Sequence, residues 1–189
     1  MQPSEHTDVE LAERLQAGDN AAFDELMRRY QRPVMNFVYR MLGDAAEAED
    51  VAQEVFVRLY RKIGSYRPET KFSTWLFALA RNAGIDRLRW RKRHPQDSLE
   101  ALEEHAGASP VAAPGGVGEE VQAREIGEQI AAAIAILPED QKTALILSEY
   151  HGLAYEEIAQ IMNCSPKSVE GRLYRAKQTL RKRLEFLRE

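Results

Sequence analysis

The chain of 189 residues contains one cysteine, Cys164. An internal disulfide is therefore impossible, so the fold rests on a packed core, and the single thiol fits a reducing cytoplasm. A single thiol between two helical stretches is first of all a small packing residue. It has no C-x-x-C partner. His6, His94, His105 and His151 are scattered without a second ligand three or four positions away, so no metal site is expected. The only paired glycines, Gly115-Gly116, lack the following Lys-Ser/Thr of a phosphate-cradling loop. The acid pairs Glu47/Asp50 and Glu156/Glu157 stand at expected helix starts, where the helix dipole favours them. That explains them more simply than acid–base catalysis. No catalytic signature is left, and neither enzyme activity nor a cofactor is expected. Apolar runs are short and broken by charge, so no membrane insertion is expected. The opening MQPSEHTDVELAERL lacks the basic-then-apolar order of a secretory signal.

The formal net charge is −4, an unpromising sum for a nucleic-acid ligand. The distribution along the chain matters more than the sum. Residues 79–94 carry six basic side chains against Asp86 alone, and residues 166–189 carry eight against three acids. Between them, residues 95–130 carry eight acids and only Arg124. Two positive blocks are separated by a negative spacer.

No stretch alternates like a strand, and everything outside the spacer has helical periodicity. The fold class expected is all-α, with two helical domains joined by a flexible linker. Residues 1–94 form the first domain, 95–125 an acidic linker rich in Ala, Gly and Pro, and 126–189 the second. A short helix at Ser98–Glu104 is conceivable within the linker. In the first domain, helices are expected over Asp8–Ala17 (stopped by Gly18) and Ala21–Gln31, with a break or kink at Pro33 before Val34–Leu42. Another follows the acidic turn after Asp44, reaching about Ile63. A loop at Ser65–Lys71 precedes a long helix from about Ser73 to Arg93, with Trp75, Leu76, Leu79, Ala83 and Leu88 on its apolar face.

The segment Leu153–Leu184 reads as a helix-turn-helix. Ile158, Ala159 and Met162 form the apolar face of a short helix. Asn163 tolerates the left-handed conformation that ends helices. Ser165 can cap the next helix, and Pro166 suits its first turn. Val169, Leu173, Ala176, Leu180, Leu184 and Leu187 then recur along one face. The opposite face shows Lys167, Glu170, Gly171, Tyr174, Arg175 and Gln178, groups that fit a major groove. A solvated basic face on an ordinary amphipathic hairpin has the same pattern. Gly171 costs about 1 kcal/mol relative to Ala in mid-helix, which close approach to a DNA backbone or simple drift accounts for equally.

Three motifs resemble the extracytoplasmic-function sigma factors, minimal bacterial sigma factors with domains 2 and 4 only. AEAEDVAQEVFVRLYRKI (Ala46–Ile63) resembles the helix that binds core RNA polymerase. KFSTWLFALARNAGIDRLR (Lys71–Arg89) resembles the signature that follows the −10 recognition loop. Leu137–Lys177 resembles domain 4 with its −35 recognition helix. The resemblance covers both domains in order and implies a transcription initiation factor. Its partners would be core polymerase, promoter DNA and an anti-sigma factor.

By that resemblance, Asp50, Gln53, Glu54, Phe56 and Leu59 contact polymerase. Tyr66, Arg67, Lys71 and Phe72 capture unstacked −10 bases, with core packing the competing role for Phe72. Arg81, Asn82, Arg87 and Arg89, with Arg91, Lys92 and Arg93 behind them, track phosphates. Lys167, Glu170, Gly171, Arg172, Tyr174, Arg175 and Gln178 read −35 DNA. The chain departs from the family at Asn163, where Gly is frequent, at Ala154, where Ser or Thr caps the helix, and at Glu170-Gly171, often basic and Ser. A helix-turn-helix regulator of the response-regulator output type would leave the first two motifs unexplained; a helical adaptor that binds only protein is the other alternative, and crosslinking to promoter DNA separates it.

Overall fold

The computed structural model describes residues 6–95 and 117–185, and these are helical with no strand among them. Helix α1 spans Asp8–Gln16 and opens with a capping box: Thr7 Oγ1 accepts from the Glu10 amide, and Glu10 accepts from the Thr7 amide. Helix α2, Asn20–Leu42, is capped by Asp19 and ends at Gly43 in the left-handed conformation (φ 75°). It runs through Pro33 without the expected break. Pro33 has no N–H for the ladder, a defect worth about 3 kcal/mol. Fully buried Leu26 before it and Val34, Phe37 and Val38 after it hold the two halves on one core-facing stripe.

Helix α3, Ala45–Lys62, starts on Asp44, whose carboxylate accepts from the Glu47 amide at 2.8 Å. A 3-10 turn, Ile63–Ser65, and a loop lead into α4, Phe72–Arg93. The expected apolar face of α4 was too narrow. Phe77, Ala80, Gly84 and Ile85 are buried as well, while Trp75, Leu79 and Leu88 are only partly so. The arc is wide because α4 packs on α2 and α3 and also on a helix of the C-terminal half. At Gly84 a Cβ would come within 3.1 Å of the Met41 side chain on α2, so the glycine leaves room for that methionine.

The C-terminal half contains α5 (Val117–Ala135), α6 (Glu139–Leu145) running into a π-helical turn (Ile146–Tyr150), α7 (Tyr155–Met162) and α8 (Pro166–Arg183). Helix α5 begins inside the segment 95–125 expected as linker. The proposed helix at Ser98–Glu104 and the apolar position Leu187 lie outside the described residues. Asn163 adopts φ 50°, ψ 56° between α7 and α8, and Ser165 Oγ accepts from the Ser168 amide at 3.2 Å, as the residue types required.

The two halves share one continuous core. Helix α7 lies against α4, and the π-helical turn lies against α2. His151 inserts between Phe37 of α2 and Phe77 of α4, with ring centroids 5.8 and 4.7 Å away. The Arg40 guanidinium stacks 3.6 Å from the Tyr150 ring beside it.

Burial, and then the nearby positive charge of Arg40 on α2, lower the His151 pKa to about 4 from an ordinary 6.5. The neutral ring is thus the form that holds the halves together. Their contact is at full strength above pH 6.5 and weakens as pH falls toward 4. By pH 5 the loss should reach about 1–2 kcal/mol. Thermal unfolding at pH 7 and pH 5 checks this: His151→Phe, which keeps an aromatic plug, should lose less stability over that interval than the wild type.

Candidate polymerase and promoter interfaces

Helix α8 sets its two faces by periodicity. Val169, Leu173 and Ala176 are buried, and on the other side Lys167, Glu170, Tyr174 and Arg175 are exposed, Tyr174 by 65%. Gly171 and Gln178 are half-buried at the edges. A Cβ on Gly171 would meet nothing closer than the Arg175 guanidinium at 3.6 Å, so no packing within the fold requires glycine there. Arg172 behaves differently from its neighbours. Its guanidinium pairs with Asp140 at the start of α6 at 2.9 Å and donates to Cys164 Sγ at 3.0 Å. It ties α8 to the rest of its domain. Ala154 offers no side-chain cap to α7, but Glu157 accepts from the Ala154 amide at 2.9 Å and supplies half of a capping box.

The loop between α3 and α4 is fastened at several points. Gln16 of α1 donates to the carbonyls of Ile63 and Tyr66 at 2.8 and 3.1 Å, and the Tyr66 hydroxyl donates to the Thr70 carbonyl at 3.0 Å. Arg67 turns back onto the carbonyls of Gly64 and Tyr66, both at 2.9 Å. Tyr66 and Phe72 are 1% and 2% exposed and lie edge-to-face, with Trp75 and Tyr30 completing an aromatic cluster. Burial raises the Tyr66 pKa, so the phenol stays a hydrogen-bond donor. Both rings belong to the core here. Lys71 is exposed at the loop's end and pairs with Glu157 of α7 at 2.9 Å. That pairing is the first cause of the lowered Glu157 pKa.

The basic stretch of α4 splits in two. Glu47 of α3 is 7% exposed, and its carboxylate lies 3.0 Å from Arg87 and 2.6 Å from Arg91. Arg91 also donates to the Leu42 carbonyl at 2.8 Å, and Arg87 stacks over Trp90. Arg81 approaches Asp140 at 3.7 Å. By contrast Asn82, Arg89, Lys92 and Arg93 are exposed.

On α3, Asp50, Gln53 and Glu54 are exposed, but they face two grooves. Gln53 borders a largely apolar groove of about 620 Å³ between α2 and α3, lined by Phe23, Met27, Met35, Phe56, Val57 and Tyr60. Asp50 and Glu54 border a smaller one beside α4, where Arg58 reaches Glu54 at 2.6 Å and Asp86 at 3.4 Å. Phe56 is nearly buried in the groove floor, and Leu59 has no exposed surface. Sequence reasoning overlooked Val57 and Tyr60, which are 48% and 50% exposed. They continue the helical face of Gln53 at i+4 and i+7, a signal that was there to find.

A sigma-70 region 2 family model matches residues 26–94, and a sigma-70 region 4 model matches residues 127–180. The RNA polymerase sigma-H factor of Pseudomonas aeruginosa is 38% identical over 98% of each chain. This chain belongs to the extracytoplasmic-function sigma factors. The sigma-E factor of Escherichia coli K12 is 35% identical over 96% of each chain, and SigW of Bacillus subtilis 36% identical over 92% of this chain and 95% of its own. The same fold is seen in CnrH in complex with the cytosolic domain of CnrY, with TM-score 0.70 and 22% identity over 93% of this chain and 95% of that one. It is also seen in RpoE of Bartonella quintana in complex with the anti-sigma factor NepR, with TM-score 0.69 and 24% identity over 86% of this chain and 96% of that one. In this sigma factor, region 2 covers α4 and most of α2, and all of α3, while region 4 takes in the helix-turn-helix. No helix among the described residues is long and apolar enough to cross a membrane.

Glu47, Asp140 and His151 matter to this arrangement and were not legible in advance. Each acts on residues distant in sequence, Glu47 on an arginine 44 positions away. Glu47→Gln should leave two half-buried guanidinium groups without their counter-charge and cost the sigma factor about 2 kcal/mol. Both tryptophans, Trp75 and Trp90, are on α4, so urea unfolding followed by their fluorescence reports this loss directly.

Proposed function

We propose that this sigma factor grips core RNA polymerase through α3 and its flanking grooves, reads −35 duplex with the exposed face of α8, and engages melted −10 DNA with the α3–α4 loop and the free cations of α4. The joint match to regions 2 and 4 on one chain is the observation that carries this reading. The domain boundaries 1–94, 95–125 and 126–189 are kept as functional units, with α5 extending the last of them backwards.

The geometry refines the roles. Lys167, Glu170, Tyr174 and Arg175 are the base and phosphate readers, since their side chains are exposed along the N-terminal half of a capped helix. Glu170 favours a cytosine amino group, as a carboxylate accepts and does not donate. Arg172 holds the reading helix in place. Arg89, Lys92 and Arg93 track the strand, while Arg87 and Arg91 brace α3 against α4. Exposed Lys71 and Arg67 give the loop its charge. Tyr66 and Phe72 form the rigid wall under it, and a captured base would sit against that wall. Strand capture by a preformed loop couples binding to opening, with no nucleotide hydrolysis. On α3, Gln53 with Val57 and Tyr60 offers an apolar strip, and Asp50 with Glu54 an acidic one suited to arginines on polymerase. The solved relatives are held by protein partners, and an anti-sigma factor is proposed for this chain too. The spacer is assigned no contact beyond joining the domains.

Run-off transcription with core polymerase across a promoter library tests the reading. The chain should direct initiation on a cognate promoter; failure on the whole library would refute it. Arg175→Ala should weaken −35 binding by about 1–3 kcal/mol, roughly five- to 150-fold, with core affinity unchanged. Asp50→Ala with Glu54→Ala should do the reverse.

A further inference from the structure

Along the middle of α8 the cations are treated unequally. Arg172 is held by Asp140, and Lys177 by Glu149, each at 2.9 Å. Arg175 lies between them in sequence, is exposed, and pairs with no acid among the described residues. Its side chain turns back along the helix, and its guanidinium comes to rest over half-buried Gly171. A Cβ built on Gly171 would lie 3.6 Å from one terminal nitrogen of Arg175 and 3.9 Å from the other, with no other side chain within 4 Å.

Helical side chains lean toward the N-terminus, over the residue four positions back. Here that residue is a glycine, so the long arginine can lie low against the helix. A helix with its side chains is about 10–12 Å across and a major groove about 12 Å wide, which leaves little clearance for a guanidinium standing off the axis. Lying back also carries the fork about one turn, roughly 5.4 Å, toward the N-terminal half of α8, the half that meets base edges. The space under the guanidinium is limited. At 3.6 Å a methyl group just touches it. Isoleucine, with γ-carbons in both staggered positions that a helix permits, would compete for its place.

From these observations we infer that Gly171 is a positioning residue for promoter reading. It seats the Arg175 guanidinium on the helix and so sets the direction in which that fork meets a base pair. This rests on the −35 reading proposed above for α8. Glycine is kept in mid-helix, at a cost in helix stability, because a neighbouring side chain uses the room. Close approach of a DNA backbone would instead exclude even a methyl group, and simple drift would tolerate any side chain.

Binding of the holoenzyme to labelled promoter fragments, with each −35 base pair varied in turn, tests this. Arg175→Ala marks the pair that Arg175 reads as the one whose preference disappears. Gly171→Ala should keep that preference, hold affinity within about two-fold of the wild type, and raise the thermal midpoint of the free chain. Gly171→Ile should flatten the preference at the same pair and weaken binding about ten-fold, with preferences at other pairs and core affinity unchanged. In an Arg175→Ala background, Gly171→Ile should change affinity by less than about two-fold, since the two residues act as one unit. A loss that persists without Arg175, or a loss from Gly171→Ala, would show DNA itself meeting the glycine and overturn the inference. Full preference in Gly171→Ile would overturn it as well. These results leave the −35 role of Arg175 standing, whereas Arg175→Ala without effect at any pair would remove that role and the seat together.

Discussion

A single buried carboxylate decides how this molecule uses its positive charge. Glu47, on the first turn of α3, draws Arg87 and Arg91 of α4 inward and fixes the angle between the helix proposed to meet polymerase and the helix proposed to meet the melted strand. Those two arginines are only partly exposed, so the pair is stronger than a surface ion pair and its loss leaves charge without compensation. The same sorting recurs elsewhere. Arg172 goes to Asp140, Arg58 to Glu54, and Arg14 to Asp19. A chain of net charge −4 can present nucleic-acid surfaces because many of its acids are engaged internally and leave a chosen subset of cations exposed.

Local features of the fold were legible because they depend on neighbours in sequence. Asn163, Ser165 and Pro166 specify the turn and the start of α8 by backbone preference alone, and the structure has them in those roles. Asp44 and Gly43 likewise set the junction of α2 and α3. Pro33 did not break α2 because its local penalty is outweighed by core contacts on both sides of it. The face of α4 was drawn too narrow because it packs on two domains, and periodicity reports a helix's own pattern without showing how many neighbours cover it. The exposed face of α8 was identifiable from spacing. Arg172, one position from Gly171, was grouped with them because nothing local shows that Asp140 claims it.

Contact between the domains adds a level that motifs do not encode. Phe37, Phe77 and His151 come from three separate elements, and only the assembled fold makes them neighbours. An imidazole with a lowered pKa in an aromatic seat is neutral at pH 7 and sensitive to acid, whereas the ion pairs around it respond mainly to salt. The interface is therefore built from contributions that respond to different conditions.

The division of α4 into bracing and free cations is the central claim, and the salt dependence of promoter binding by the assembled holoenzyme tests it most directly. Each phosphate contact adds roughly 0.7–0.9 to the slope of log affinity against log salt. Arg89→Ala should lower that slope by about this amount, while Arg87→Ala should leave it unchanged. An equal drop for Arg87→Ala would place that guanidinium on the DNA and contradict the account.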